Sequence, residues 1–223
     1  MLGTLNSCPV DALLFDLGNV VVDIDFGRAF EVWARAAGVP AAVIAERFAF
    51  DQAYETHECG AIEGPEYFRS LRESLQIKLS DQQFLAGWNA IFVQPTSGMP
   101  QLLRTLASVM PLYLFSNTNA LHHAFWSREY CSLLEHFSMI FCSHQLGARK
   151  PSPAVFRKVA DAIAVAPCRL AFFDDLPENV DGARQAGLIG FHVTSVADLR
   201  RALVDELRIP TLIVSGAPPG SRH

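Results

Sequence analysis

The chain is short of charge. Only 18% of its 223 residues are Asp, Glu, Lys or Arg, while half are apolar. That ratio excludes a disordered, charge-rich chain and supplies a sizeable core, in one large domain or a core with an insert. Basic residues are not in excess either. The formal net charge is −5, so the composition offers no footprint for nucleic acid or an anionic membrane surface. An anionic ligand would need local positive charge from a metal, a lysine or backbone N–H groups. No apolar run approaches the ~20 residues that span a bilayer. The five cysteines, Cys8, Cys59, Cys131, Cys142 and Cys168, are odd in number, widely spaced and without a C-x-x-C pair. This fits reduced thiols better than a disulfide or zinc framework. The opening MLGTLNSCPVD has no basic stretch followed by an apolar one. Internal repeats and low-complexity tracts are missing too. These absences set the expectation of a cytoplasmic protein, monomer or homodimer, with no nucleic-acid or membrane partner.

What is present reads as α/β. Short apolar runs at Ala12–Phe15, Pro111–Phe115, Met139–Cys142, Leu170–Phe173 and Ile189–Val193 have the length and continuity of buried parallel strands. Helical patterns separate most of them, which predicts βαβ units. Ser152 and Pro153 mark a helix start, with Phe156, Val159, Ala160 and Ile163 on one face. Asn179 to Ala186 reads as a helix stopped by Gly187, and Ser195 with Asp198 opens another. From about Asp25 to Thr96 no strand is expected. Phe26, Phe30, Trp33 and Ala37 keep helical spacing. Ser80 and Gln83 form a capping-box pattern ahead of Phe84, Trp88, Ile91 and Phe92. This predicts a small helical bundle, residues 25–96, inserted into a core built from residues 1–24 and 97–223. The tail from Pro210, ending SGAPPGSRH, is expected to be loosely ordered.

Four segments put chemistry at strand ends. In LLFDLGNVVVDID, Asp16 closes an apolar run, and Gly18 and Asn19 permit a tight turn whose N–H groups can face an anion. YLFSNTN places Ser116 and Asn117 after the second core strand. ARKPSPAVF places Lys150 before a helix, and LAFFDDLPEN places Asp174 and Asp175 after another strand with Asn179 beyond. Each has an ordinary alternative: a turn-closing Asp, a capping Ser-Asn, a solvated Lys, a pair of helix-capping acids. In open α/β sheets ligands bind outside the carboxyl ends of the strands, and an acid, a hydroxyl, an ammonium and paired acids all arrive there.

The order FDLGNV, FSNTN, RKP and FFDD-x-x-x-N resembles the four-motif signature of the haloacid dehalogenase-like hydrolase superfamily. Together with HECGAIEGPEYF in the insertion, it is similar to bacterial phosphatases that act on alpha-D-glucose 1-phosphate and related sugar phosphates. The resemblance implies a Rossmann-like three-layer core with a parallel sheet and a helical-bundle cap. It also implies a Mg²⁺-dependent phosphatase for a small phosphorylated metabolite, in which Asp16 attacks phosphorus and forms an aspartyl phosphate. The expected metal site is Asp16, the Gly18 carbonyl and Asp175, with Asp174 as a further ligand or support. Lys150 and Ser116 would act on the transferred group, and Gly18, Asn19 and Asn117 would hold its oxygens. His57 and Glu58, from YETHECGAIEG, are expected to face the site and touch the sugar; a plain helix–helix loop is the alternative.

Gly18 departs from the superfamily pattern, in which a second Asp two residues after the nucleophile protonates the leaving group. Either the substrate tolerates its loss, or His57, Glu58, His122, His123, Asp23 or Asp25 substitutes. Two other readings use the same residues: a metal-independent 2-haloacid dehalogenase, and a non-catalytic member that binds phosphate ligands.

Overall fold

The computed structural model describes residues 10–209. The tail from Pro210 and Cys8 fall outside them, and the other four cysteines are free thiols. Strand β1 (Ala12–Phe15) has four fully buried residues. Successive side chains of a strand point opposite ways, so Leu13 and Phe15 enter one apolar cluster and Ala12 and Leu14 the other. After a turn, β2 (Val22–Ile24) leads into five helices: α1 (Phe26–Ala37), α2 (Ala41–Arg47), α3 (Gln52–Glu58), α4 (Gly64–Leu75) and α5 (Asp81–Asn89). The chain returns through β3 (Phe92–Pro95) and alternates as α6 (Met99–Ala107), β4 (Leu112–Ser116), α7 (Ala120–Glu129), α8 (Cys131–Leu134), β5 (Met139–Cys142), α9 (Ser143–Leu146), α10 (Pro153–Ala162), β6 (Leu170–Asp174), α11 (Pro177–Gln185), β7 (Ile189–His192) and α12 (Val196–Arg201).

Five strands form a parallel sheet in the order β5-β4-β1-β6-β7. Helices α10 and α11 cover one face through Val155, Phe156, Val159 and Ala183. Helices α6 and α12 lie on the other, through Leu102, Leu103, Leu106 and Leu199. This is the expected Rossmann-like three-layer α/β core. Strand β1 is central, so the carboxyl ends of β4, β1 and β6 lie side by side.

Local signals hold at most element ends. Ser80 and Gln83 make the reciprocal capping box of α5, the Ser195 hydroxyl accepts from the Asp198 N–H, and α11 stops two residues before Gly187 at φ 95°. Pro153 opens α10, but the Ser152 hydroxyl makes no capping bond. The insertion needs one correction. Ile91 and Phe92 do not continue the α5 face: the helix ends at Asn89, and Phe92–Pro95 is a strand paired antiparallel with Val22–Ile24. Asp23 fastens this ribbon by accepting from Thr96 Oγ1 at 2.7 Å and Gln94 Nε2 at 3.3 Å. Its partner strands lie about seventy residues apart, so neither shows a hairpin signal.

Inside the insertion, the Trp33 indole stacks on Trp88 with ring centres 6.0 Å apart and donates to the Phe84 carbonyl at 3.0 Å. Gly87 lets α5 approach this closely, because a Cβ there would stand 2.2 Å from Trp33 Nε1. Among the described residues no helix is long and apolar enough to cross a membrane.

Candidate active site

Asp16 follows β1 and its N–H donates to the Phe173 carbonyl of β6 at 2.9 Å, which fixes it beside Asp174. Lys150 Nζ lies 2.6 Å from Asp16 Oδ1 and 2.7 Å from Asp174 Oδ2. The lysine is 1% exposed, with its ammonium over the Phe115 and Phe172 rings at 5.3 and 5.4 Å. Burial pulls its pKa down, but the two carboxylates outweigh burial and hold it above the usual lysine range. The ammonium is therefore a permanent charge. Asn117 places it: its side-chain oxygen accepts from the Lys150 N–H at 2.9 Å and its amide donates to the Lys150 carbonyl at 3.0 Å.

Asp174 is fully buried and spends its oxygens inside the protein, accepting from Lys150, from the Asn179 amide at 3.0 and 3.1 Å and from the Leu176 N–H at 2.9 Å. Asp175 instead borders a chamber of about 480 Å³, as do Asp16, Gly18, Ser116, Lys150 and Asn179. The insertion walls this chamber with Phe26, Phe50, Tyr54 and Glu58, and Ile24 and Phe92 of the ribbon complete it.

Asp16, Asp174 and Asp175 each offer an oxygen within 4.8 Å of the others. Three carboxylates thus face one ammonium. Burial pushes the Asp16 carboxyl up to about 7, with Lys150 opposing and the charges of Asp174 and Asp175 adding to the rise. Asp175 is raised as well, by burial against the Asn19 hydrogen bond and with Asp174 adding. Crowded hard oxygen donors with unrelieved negative charge fit a small divalent cation of the Mg²⁺ type.

The structure brings together Asp16, Gly18, Asn19, Ser116, Asn117, Lys150, Asp174, Asp175 and Glu58, and corrects some expected contacts. Asn19, in the left-handed region at φ 55°, commits its N–H to the Val22 carbonyl at 2.7 Å. Its amide donates to Asp175 Oδ2 at 3.2 Å. Asn19 therefore orients Asp175 instead of offering its N–H to an anion. His57 does not border the chamber. It is buried, stacked on Tyr67 with ring centres 4.7 Å apart, and its Nδ1 meets the Ile62 carbonyl at 3.1 Å. The expectation that His57 touches the substrate is replaced by a packing role, because the apolar interior of the insertion claims the ring.

Two further residues, not singled out in the sequence, also stand at the site. Arg149 Nη1 lies 2.6 Å from Glu55 Oε1 and its Nε 2.9 Å from Glu58 Oε2, tying the insertion to the loop of Lys150. Tyr54 borders the chamber beside Glu58. Adjacency to Lys150 was the only signal for Arg149, whereas Tyr54 opens the segment YETHECGAIEG that was expected to face the site.

The chain belongs to the haloacid dehalogenase-like hydrolase family, whose pattern matches residues 10–187. Among curated relatives it is 26% identical over 220 residues to Phosphatase MT3486 of Mycobacterium tuberculosis, spanning 94% of this chain and 99% of that one. It is 24% identical over 196 residues to the D-ribitol-5-phosphate phosphatase of Bacteroides thetaiotaomicron, covering 86% and 95%. Among solved structures, the family enzyme bt-2542 of Bacteroides thetaiotaomicron, in complex with magnesium and inorganic phosphate, superposes with a TM-score of 0.72 at 28% identity, covering 83% of this chain and 95% of that one.

Proposed function

We propose that the chain is a Mg²⁺-dependent phosphatase that hydrolyses a small phosphate monoester through an aspartyl phosphate on Asp16. The sugar phosphates, such as a hexose 1-phosphate, are its preferred class. The observation that carries the reading is Lys150 Nζ, held between Asp16 and Asp174 at 2.6 and 2.7 Å, beside the third carboxylate of Asp175. Full-length similarity to phosphatases supports the reaction class. The motif resemblance, and a relative that acts on a sugar-alcohol phosphate, support the substrate class.

A dianionic ester repels a carboxylate nucleophile, so the site must screen charge as well as position groups. Asp16 and Asp175, with the Gly18 carbonyl and Asp174 close by, would hold Mg²⁺, which supplies the missing positive charge at the phosphoryl oxygens. An Asp16 oxygen bonds phosphorus as the P–O bond to the alcohol breaks. Lys150 opposes the burial that raises the Asp16 carboxyl and offers its charge to the transferred group. Ser116, at the adjacent strand end, hydrogen-bonds one phosphoryl oxygen. Asn117, Asn179 and Asn19 keep Lys150, Asp174 and Asp175 in place. Water then attacks phosphorus and frees Asp16.

The test is release of inorganic phosphate from p-nitrophenyl phosphate and from a panel of hexose 1-phosphates, hexose 6-phosphates, pentitol phosphates and nucleotides. Turnover should require Mg²⁺, stop with EDTA, and fall on the order of 10³-fold or more in Asp16→Asn, as loss of a reacting group does. Halide release from a 2-haloacid in EDTA would instead establish the dehalogenase. Phosphate binding without turnover on the whole panel would establish a binding protein. A preference for nucleotides would overturn the substrate class alone.

A further inference from the structure

We propose that Glu58, carried by the insertion, protonates the leaving oxygen in place of the side chain that position 18 lacks. The inference rests on the phosphatase reading and names the proton donor for it.

Position 18 cannot be served locally. Gly18 has no side chain to give a proton, and the movable Ile24 Cδ1 end lies where its Cβ would be, 2.8 Å away. Other candidates are spent elsewhere. Asp23 fastens the ribbon, and Asp25 caps α1 by accepting from the Gly27 N–H at 2.8 Å. His57 lies behind the wall. The His123 ring packs on Trp126 with centres 4.8 Å apart and does not border the chamber. His122 borders it, yet its Nε2 meets the Trp88 carbonyl at 2.9 Å and its Nδ1 the Asn119 amide at 3.2 Å. Burial takes that ring down to about 3, so it carries no spare proton.

Glu58 differs on every count. It borders the chamber and is 3% exposed. Its Oε2 is sealed from solvent and ion-paired with Arg149 Nε at 2.9 Å, and the carboxyl is also hydrogen-bonded by Tyr54. The residue is also fixed to the core. Ser143 Oγ, at the end of β5, donates to the Glu58 carbonyl at 2.7 Å. Two residues on, Gly60 lies so close to the core that a Cβ would stand 2.4 Å from the His144 carbonyl oxygen. Burial raises the Glu58 carboxyl toward the protonated form. Arg149, Tyr54 and Lys150 oppose it and stabilise the anion left after transfer.

In the step, the Glu58 proton passes to the ester oxygen as the P–O bond breaks and the Asp16–phosphorus bond forms, so the alcohol leaves neutral. Glu58 is left as a carboxylate beside Arg149. It recovers a proton from the water that then hydrolyses the aspartyl phosphate.

The experiment exploits leaving groups. A p-nitrophenolate leaves unaided, whereas an alkoxide needs a proton. Glu58→Gln should keep turnover of p-nitrophenyl phosphate within about threefold of wild type and lose ~10²–10⁴-fold on an alkyl phosphate such as glycerol phosphate, the usual worth of a general acid. Glu178, the other glutamate at the chamber, is exposed on α11, and Glu178→Gln should match wild type on both esters. Should Glu58→Gln fail to fold, Glu58→Asp withdraws the carboxyl by one methylene and should show the same selective loss. Equal losses on both esters, no loss on the alkyl ester, or a selective loss in Glu178→Gln would each overturn the proposal. A wild type inactive on both esters would instead sink the phosphatase reading.

Discussion

At the scale of single residues, the site is defined by one missing side chain and one apolar neighbour. Gly18 and Ile24 are complementary: the first has nothing to offer a leaving group, and the second fills its space. Gly18→Asp alone should displace that flexible end at a cost of about 1 kcal/mol or less by denaturant midpoint, the mild end of overpacking, with little gain in turnover of alkyl phosphates while Ile24 crowds the new carboxyl. Gly18→Asp with Ile24→Ala opens the space and should raise that turnover above the single variant. Asp16, Ser116, Lys150, Asp174 and Asp175 were legible in the sequence because a polar group ending an apolar run is visible within a few residues. Arg149 was not: its partners Glu55 and Glu58 lie more than ninety positions away, and only docking of α3 against the core brings them together. His57 misled for a related reason. A polar ring beside glycines has the look of a site residue, and its flat contact with Tyr67 appears only once α3 and α4 pack.

At the scale of elements, strand ends position the chemistry and close helix contacts hold those ends still. The strands and the sheet were readable because a buried parallel strand is a continuous apolar run. The β2–β3 ribbon was not, because its pairing is long-range and α5 runs up to it with helix-compatible residues. Helix α11 shows how the site is braced. At Gly182 a Cβ would lie 1.9 Å from the carbonyl oxygen of Pro151, the residue after Lys150. Backbone cannot yield as a flexible side chain can, so Gly182→Ala should push α11 and the Lys150 loop apart. We expect a loss of about 1–3 kcal/mol in stability together with reduced turnover of p-nitrophenyl phosphate. Unchanged turnover in a destabilised variant would show that the loop tolerates the shift.

At the scale of the whole molecule, His57 inside the insertion and His122 at its contact with the core stack on aromatic rings, and buried histidines give the fold a pH signature. Burial lowers His57, His122, His123 and His144, with His122 taken to about 3. A histidine that takes up its proton near 6.5 when unfolded, but not when folded, favours the unfolded chain below that pH. Its stabilising contribution is complete above about 6.5 and is lost as pH falls toward 3. Raised carboxyls such as Asp16 and Glu58 act in the opposite sense, so the histidine effect is isolated by difference. The stability advantage of wild type over His122→Gln should shrink between pH 7 and pH 4, by at most about 1.4 kcal/mol per pH unit. A pH-independent difference would place the ring's importance in packing alone. The insertion also has a bearing on descent. Because β2 and β3 leave and re-enter the sheet domain as neighbours, with Ile24 opposite Phe92, another lid spliced between them would begin and finish at the same doorway. Asp16, the proposed nucleophile, would stay with the sheet. The chamber wall of Phe26, Phe50, Tyr54 and Glu58 would travel on the exchanged piece, and with it the proton donor proposed above.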